Sequence, residues 1–220
     1  MMVLPLLAMV ALLTAPPLSA ARAAGDMQFS LSAIGAAAQC GAGCAKVIVA
    51  DGEITNGTPA AFIDFLKTHA RDRQVRTVVF INSPGGKVHA AMALGKTLRA
   101  VGAAVVVARP LGDGASFVPA ACYSACVYAL MGGVKRVAPA GSRLGVHRMY
   151  MFESGPDPTG SGAARRTFDQ GTMRETLARY ARAMGVAREA IDDAESTPSD
   201  GLLVISPQNA ARWRLASPTF

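Results

Sequence analysis

The sequence predicts an α/β protein built on a mainly parallel sheet, and three observations carry that prediction. The runs "VRTVVFINS" (Val75–Ser83) and "AAVVVA" (Ala103–Ala108) are apolar on both faces, as strands covered by helices on each side are. Segments with helical apolar spacing lie between such runs. Turns bearing Gly or Pro mark the change from strand to helix.

In chain order, residues 24–45 are small and rich in Gly and Ala and read as a loosely ordered lead-in. "KVIVADGEI" (Lys46–Ile54) reads as a strand, a turn at Asp51-Gly52 and a second short strand. "TPAAFIDFLKTHA" opens a helix with Thr58 as cap and Pro59 at the first helical position, and Phe62, Phe65 and Leu66 repeat at helical spacing. Strand Val75–Ser83 is followed by a helix over "KVHAAMALGKTLRAVG" and then by strand Ala103–Ala108. "LGDGASFVPA" (Leu111–Ala120) reads as a loop, "SACVYALMGG" as a helix closing at Gly132-Gly133, and "RVAPAGSRLGVHRM" as strand, turn, strand. The polar stretch Glu153–Ala163 is a Gly/Pro loop. A long helix over about 164–184 and a shorter one over about 187–195 are expected next, then a strand at "GLLVIS". "SPQNAARW" repeats the Ser-cap, Pro-first helix start.

Residues 1–23 read differently. An apolar run from Met2 to Ala15, Pro16-Pro17 and the small-x-small "ARA" (Ala21–Ala23) have the form of a cleaved export signal, and the run is short for a bilayer span of about 20 residues. The expectation is an exported, periplasmic protein whose residues 24–220 form one domain, with an uncleaved N-terminal anchor as the alternative. The net charge of +7 favours anionic lipid or cell-wall surfaces. Nucleic acid is not an expected partner, because no zinc finger, RNP motif or aromatic-rich basic strip is present. Four cysteines in an exported chain suggest disulfides. They fall as Cys40 with Cys44 and Cys122 with Cys126, though four cysteines allow three pairings. A four-thiolate zinc site or buried free thiols are the other readings.

Three stretches carry chemistry. "FINSPGG" (Phe80–Gly86) leaves a buried strand and enters a helix, and its two glycines can turn an N–H toward a ligand oxygen. "CYSAC" places Ser124 at a helix start, where a serine is either a cap or a nucleophile. "LGVHRM" places His147 in an apolar strand, as a core residue or as a base facing Ser124. The series "VVFINSPGGKVHAAMAL" followed by "CYSACVYALMGGVKRVAPAGSRLGVHR" resembles the Clp protease proteolytic subunit and the ClpP/crotonase superfamily, and the likeness runs from about Lys46 to Leu215.

The resemblance implies a ββα spiral with a mainly parallel sheet, and a serine hydrolase, expected to be a peptidase. Carried over by position, it implies Ser124 as nucleophile, His147 as general base, and the N–H groups of Gly86 and Ala125 as oxyanion donors. It implies Asp200 as the triad acid, with Asp193 and Glu195 as alternatives. No cofactor or metal is implied. Partners would be peptides or unfolded chains, and the family's rings and trimers imply a homo-oligomer. Three departures stand out: Arg148 replaces the family's glutamine after the histidine, cysteines flank Ser124, and an exported chain has no ATP-driven unfoldase. Signal-peptide peptidases of the superfamily use a Ser–Lys pair, for which Lys87 and Lys135 are candidates. A silent binding or assembly module on the same fold, and a crotonase-type acyl-CoA enzyme, are the competing functions.

Overall fold

A computed structural model describes residues 25–35, 37–111, 116–153, 165–168 and 171–220 of the chain. The export-signal reading of residues 1–23 and most of the loop expected at 153–163 lie outside the described residues.

The first half is laid on one sheet. Strand β1 (Gln28–Ile34) runs antiparallel to β2 (Ala45–Asp51), with the short helix α1 (Ala37–Cys40) between them. Helix α2 (Thr58–His69) crosses to β3 (Val75–Asn82), and α3 (Val88–Ala100) crosses to β4 (Ala104–Val106). β2, β3 and β4 pair in parallel. The antiparallel hairpin β5 (Ala108–Leu111) and β6 (Ser116–Pro119) follows, then β7 (Ala121–Tyr123) and α4 (Ala125–Met131). β8 (Lys135–Val137) returns to the far side of β4, giving the order β1-β2-β3-β4-β8.

A second sheet forms above the C-terminal end of the first. Its members are β9 (Arg143–Val146), which pairs in parallel with β7, and the later strand at Leu203–Val204, which pairs antiparallel with β9. Strands β10 (Met151–Glu153) and β11 (Arg165–Thr167) form a separate antiparallel pair. Helices α5 (Thr172–Ala183) and α6 (Glu189–Ser196) precede β12 (Leu203–Val204), and α7 (Pro207–Arg212) ends the fold. This is a mixed α/β architecture with a mostly parallel main sheet, as expected.

The expected elements hold with four corrections. The lead-in contains β1, because the "QFSLSAI" backbone finds a full partner in β2. The loop Leu111–Ala120 is partly a hairpin that folds over Phe80, whose ring meets Phe117 edge-on at 5.7 Å. The long helix begins at Thr172, since Arg165–Thr167 pair with Met151–Glu153 instead. The expected strand-turn-strand at Arg136–Met149 is not a hairpin, because β8 and β9 belong to different sheets.

α4 is the centre of the molecule: all seven of its residues are buried. It packs so closely on α3 that a Cβ on Gly132 would clash with the backbone of Gly95. Two arginines hold its C-terminal end. Arg99 donates to the carbonyls of Met131, Gly132, Gly133 and Met184, and Arg136 donates to those of Gly133, Met184, Arg214 and Leu215. Helix ends leave such carbonyls without intrahelical partners, so the guanidiniums complete them. Trp213 is buried after α7, in the core and not at the surface. Among the described residues, no helix is long and apolar enough to cross a membrane.

Candidate active site

The strand ladder explains why distant residues meet. Tyr123 is the register partner of Gly145, so Ser124 and His147 leave the same end of two adjacent parallel strands. Neighbouring strands lie about 4.8 Å apart, which sets the spacing of what they carry. Ligand sites form at the C-terminal ends of parallel strands for this reason.

Ser124 occupies a sharp turn between β7 and α4, with φ 52° and ψ −121°, a conformation rare for a residue with a Cβ. The turn is held from both sides: Ser124 N–H donates to the Gly145 carbonyl at 2.8 Å, and Val127 N–H donates to the Ser124 carbonyl at 3.1 Å. The Ser124 side chain makes no capping bond to α4. Cys122 and Cys126 flank it as a bonded pair with Cα atoms 5.2 Å apart, and Cys40 pairs likewise with Cys44 at 4.8 Å. Of the three connectivities open to the sequence, the structure has the local one.

The "NSPGG" stretch is stitched to the same turn. Asn82 accepts from Ala121 N–H through Oδ1 at 3.1 Å and donates toward Asp51 through Nδ2. Ser83 N–H donates to the Ala121 carbonyl, and the Ser83 carbonyl accepts from Tyr123 N–H. Ser83 Oγ, buried, accepts from Gly85 N–H at 3.2 Å and shapes the diglycine bend. Gly85 touches the turn: a Cβ there would sit 2.8 Å from the Tyr123 carbonyl and 2.9 Å from Ser124 Cβ. Gly86 has φ 132°, and a Cβ on it would clash with the Ile54 carbonyl. Only glycine fits both demands.

Two backbone donors result. Ile54 N–H bonds the Gly85 carbonyl and Lys87 N–H bonds the Ile54 carbonyl, which leaves Gly86 N–H without a partner among the described residues. Ala125 N–H opens α4 and has none either, as helix starts allow. Ala125 directly follows Ser124, and Gly86 directly follows Gly85, the residue that touches the Ser124 turn.

His147 lies just past β9, half-buried, beside Tyr150 (ring centroids 6.0 Å apart). Its Nδ1 is 2.9 Å from the Arg148 carbonyl oxygen. A carbonyl only accepts, so Nδ1 is the donor in this contact, and a neutral imidazole held this way presents its lone pair at Nε2. The segment is anchored by Arg148 N–H to the Thr197 carbonyl (2.8 Å) and by Met149 N–H to Glu195 Oε1 (3.3 Å).

Ser124, Gly85, Gly86 and His147 line one cavity of about 880 Å³, together with Lys87, His89, Tyr128 and Met149. Ser124 Oγ and His147 make no hydrogen bond to each other among the described residues; catalytic bonds are often loose without substrate. Asp200 is exposed in the turn before β12 and makes no hydrogen bond with His147. The Arg148 carbonyl stands at the Nδ1 position where a triad acid would be. Glu195 reaches the backbone two residues beyond His147, and Asp193 holds Thr197 through its carbonyl. Lys135 is on β8 in the main sheet, away from the cavity lining. His69, on α2, packs its ring on Phe65 at 4.6 Å. Arg174 is on α5 and bonds Asp192, while Arg166 is on β11 over the Tyr150 ring at 4.6 Å. The sequence reading missed Tyr128, Met149 and Met173 as cavity residues. For Tyr128 the signal was its place four residues after Ser124 on one helix.

Residues 44–164 match the family model for Clp protease. Among solved structures, the chain is similar to a serine-to-alanine mutant of the 1510-N membrane-bound stomatin-specific protease, at 17% identity and a TM-score of 0.52 over 77% of this chain and 75% of that one. A lysine-to-alanine mutant of the same protease, in complex with a substrate peptide, aligns at 17% identity and TM-score 0.52 over 77% and 71%. At that identity the likeness concerns the fold. No curated protein shows significant sequence similarity to the chain. The matched span holds the NSPGG bend, the Ser124 turn and the His147 strand, and the chain belongs to the Clp protease family.

Proposed function

We propose that this chain is an exported serine peptidase that works without an ATP-driven partner, on peptides and loosely folded chains. Ser124 Oγ attacks the scissile carbonyl carbon. His147 Nε2 takes the hydroxyl proton and returns it to the leaving amine. The N–H groups of Gly86 and Ala125 receive the oxyanion. In this reading the Arg148 carbonyl fixes the imidazole tautomer, a task first assigned to Asp200.

The observation that carries the reading is the 2.9 Å contact of His147 Nδ1 with the Arg148 carbonyl: it makes Nδ1 the donor and turns Nε2 to the acceptor role, on a ring lining the same cavity as a strained, uncapped serine. The charge of +7 supports contact with anionic membrane or cell-wall surfaces, and family habit supports a homo-oligomer. A silent binding module is favoured by one observation, the missing Ser124–His147 hydrogen bond.

The test is cleavage of unstructured peptides by the unsubstituted chain and by His147→Ala, Lys87→Ala and Asp200→Asn. The expected result is loss of turnover by about three decades in His147→Ala alone. Loss in Lys87→Ala with activity kept in His147→Ala would replace the base by lysine, loss in Asp200→Asn would restore the triad acid, and no cleavage by any form would leave the silent module.

A further inference from the structure

Tyr128 has no part in the chemistry above. It lies one helical turn beyond Ser124 on α4, so the two side chains share a face of that helix. It is 3% exposed and lines the cavity that holds Ser124 and His147. The nearby Tyr180 places its hydroxyl on the Tyr128 carbonyl at 2.7 Å. The Tyr128 hydroxyl itself makes no hydrogen bond among the described residues. It is also not sealed in: the one fully buried side-chain donor or acceptor without a partner, among the described residues, is Trp213 Nε1. The Tyr128 hydroxyl therefore opens on the cavity.

Burial first, and the Glu195 carboxylate second, hold this phenol well above its ordinary range, so it stays a neutral O–H. A hydroxyl taken from bulk water and given no protein partner is unfavourable until a ligand or a water supplies one. The same cavity is lined by Val88, Met149 and Met173. Their side chains are apolar, and thioethers adapt to differently shaped guests. The lining thus sets these apolar side chains with the buried phenol, in a cavity that Glu53, Asn56, Lys87 and His89 also line.

Resting on the peptidase reading, we propose that Tyr128 is a specificity-determining residue. Its hydroxyl forms the floor of the subsite for the substrate side chain adjoining the attacked carbonyl. It selects side chains that are apolar along the stem and carry an uncharged hydrogen-bonding tip, so tyrosine is taken over phenylalanine and glutamine over methionine. Sites that hydrogen-bond a substrate group reject the analogue that lacks it, because the site is left unpaired.

The test uses peptides identical except at that position, Tyr against Phe and Gln against Met. They are titrated into the full chain carrying Ser124→Ala and into the same chain with Tyr128→Phe added. The expected result is about tenfold tighter binding of the polar-tipped member in the first, falling to equal binding in the second. An equal preference in both, no preference in the first, or no binding of any peptide overturns the proposal. Tyr128→Phe removes only an unbonded hydroxyl, so its thermal midpoint should be unchanged or raised. Should that variant fail to fold, the preference in the Ser124→Ala chain alone decides. Cleavage of the same peptides by the unsubstituted chain is read separately. A Tyr128-dependent preference without cleavage keeps this inference and removes the peptidase reading, whereas cleavage without preference does the reverse.

Discussion

Among the described residues, two serines stand immediately before a helix, and they do different work. Ser206 precedes α7 with extended backbone (φ −66°, ψ 155°), and its Oγ accepts from Asn209 N–H at 3.1 Å. Pro207 fills the next position. Ser124 precedes α4 with φ 52° and ψ −121°, and its Oγ caps nothing. The first serine uses its oxygen to complete a helix. The second is held in a costly turn, by strand bonds and a flanking cysteine pair, with its oxygen on a cavity. A local pattern of serine before helix does not separate the two; backbone conformation and surroundings do.

The sharpest way to break the comparison is to remove both oxygens. Ser124→Ala should lower turnover by about three decades or more while leaving thermal stability nearly unchanged. Ser206→Ala should keep turnover and lose about 1 kcal/mol of stability, read by denaturant unfolding. Equal behaviour of the two variants would mean that Ser124 is another cap.

Next in size is the diglycine bend. Gly86→Ala forces a Cβ toward the Ile54 carbonyl at φ 132° and displaces one of the two free donors. Loss of one oxyanion donor costs about two to three decades in turnover. Peptide kinetics at matched folded fraction would separate this from unfolding.

The two cysteine pairs sharpen the contrast further. Cys122 and Cys126 are fully buried around Ser124, whereas Cys40 and Cys44 close a loop far along the sequence. Replacing both of the first pair by alanine should cost turnover between tenfold and about a hundredfold, the penalty of a misplaced reacting group. The same change at Cys40 and Cys44 should leave turnover intact.

Much of this was readable in the chain. β3, α3, β4 and α4 follow from continuous apolar runs and helical spacing, and the Ser206 cap follows from its Ser-Pro start. β1 was not readable, because "QFSLSAI" mixes small and polar residues and becomes a strand only by pairing with β2. The β5–β6 hairpin was hidden by Gly and Pro, and β11 by lying at the start of the run read as one long helix over about 164–184. Ser124, His147 and Gly86 were recognisable by motif order, and they share one cavity. The contact expected of Asp200 was not deducible, since it depends on the path of the turn before β12. The Arg148 carbonyl was equally hidden, because every residue has one and sequence never marks which will accept.

The smallest expected effect lies away from both serines. Asp192 is held below the usual carboxylate range, first by its hydrogen bond from Arg174 and against some desolvation, and it joins α5 to α6. A folded-state value below the unfolded one adds stability above the ordinary carboxylate pKa of about 4, and that stability is lost as pH falls through the folded value. Asp192→Asn should remove this part of the acid sensitivity, by less than about 1 kcal/mol for so exposed a pair, with turnover unchanged.

The most direct measurement is covalent labelling with a fluorophosphonate, followed by peptide mapping of the adduct. The account predicts one adduct, on Ser124, that is lost in His147→Ala and kept in Ser206→Ala. No adduct, an adduct on another serine, or labelling of Ser124 that ignores His147 would contradict it.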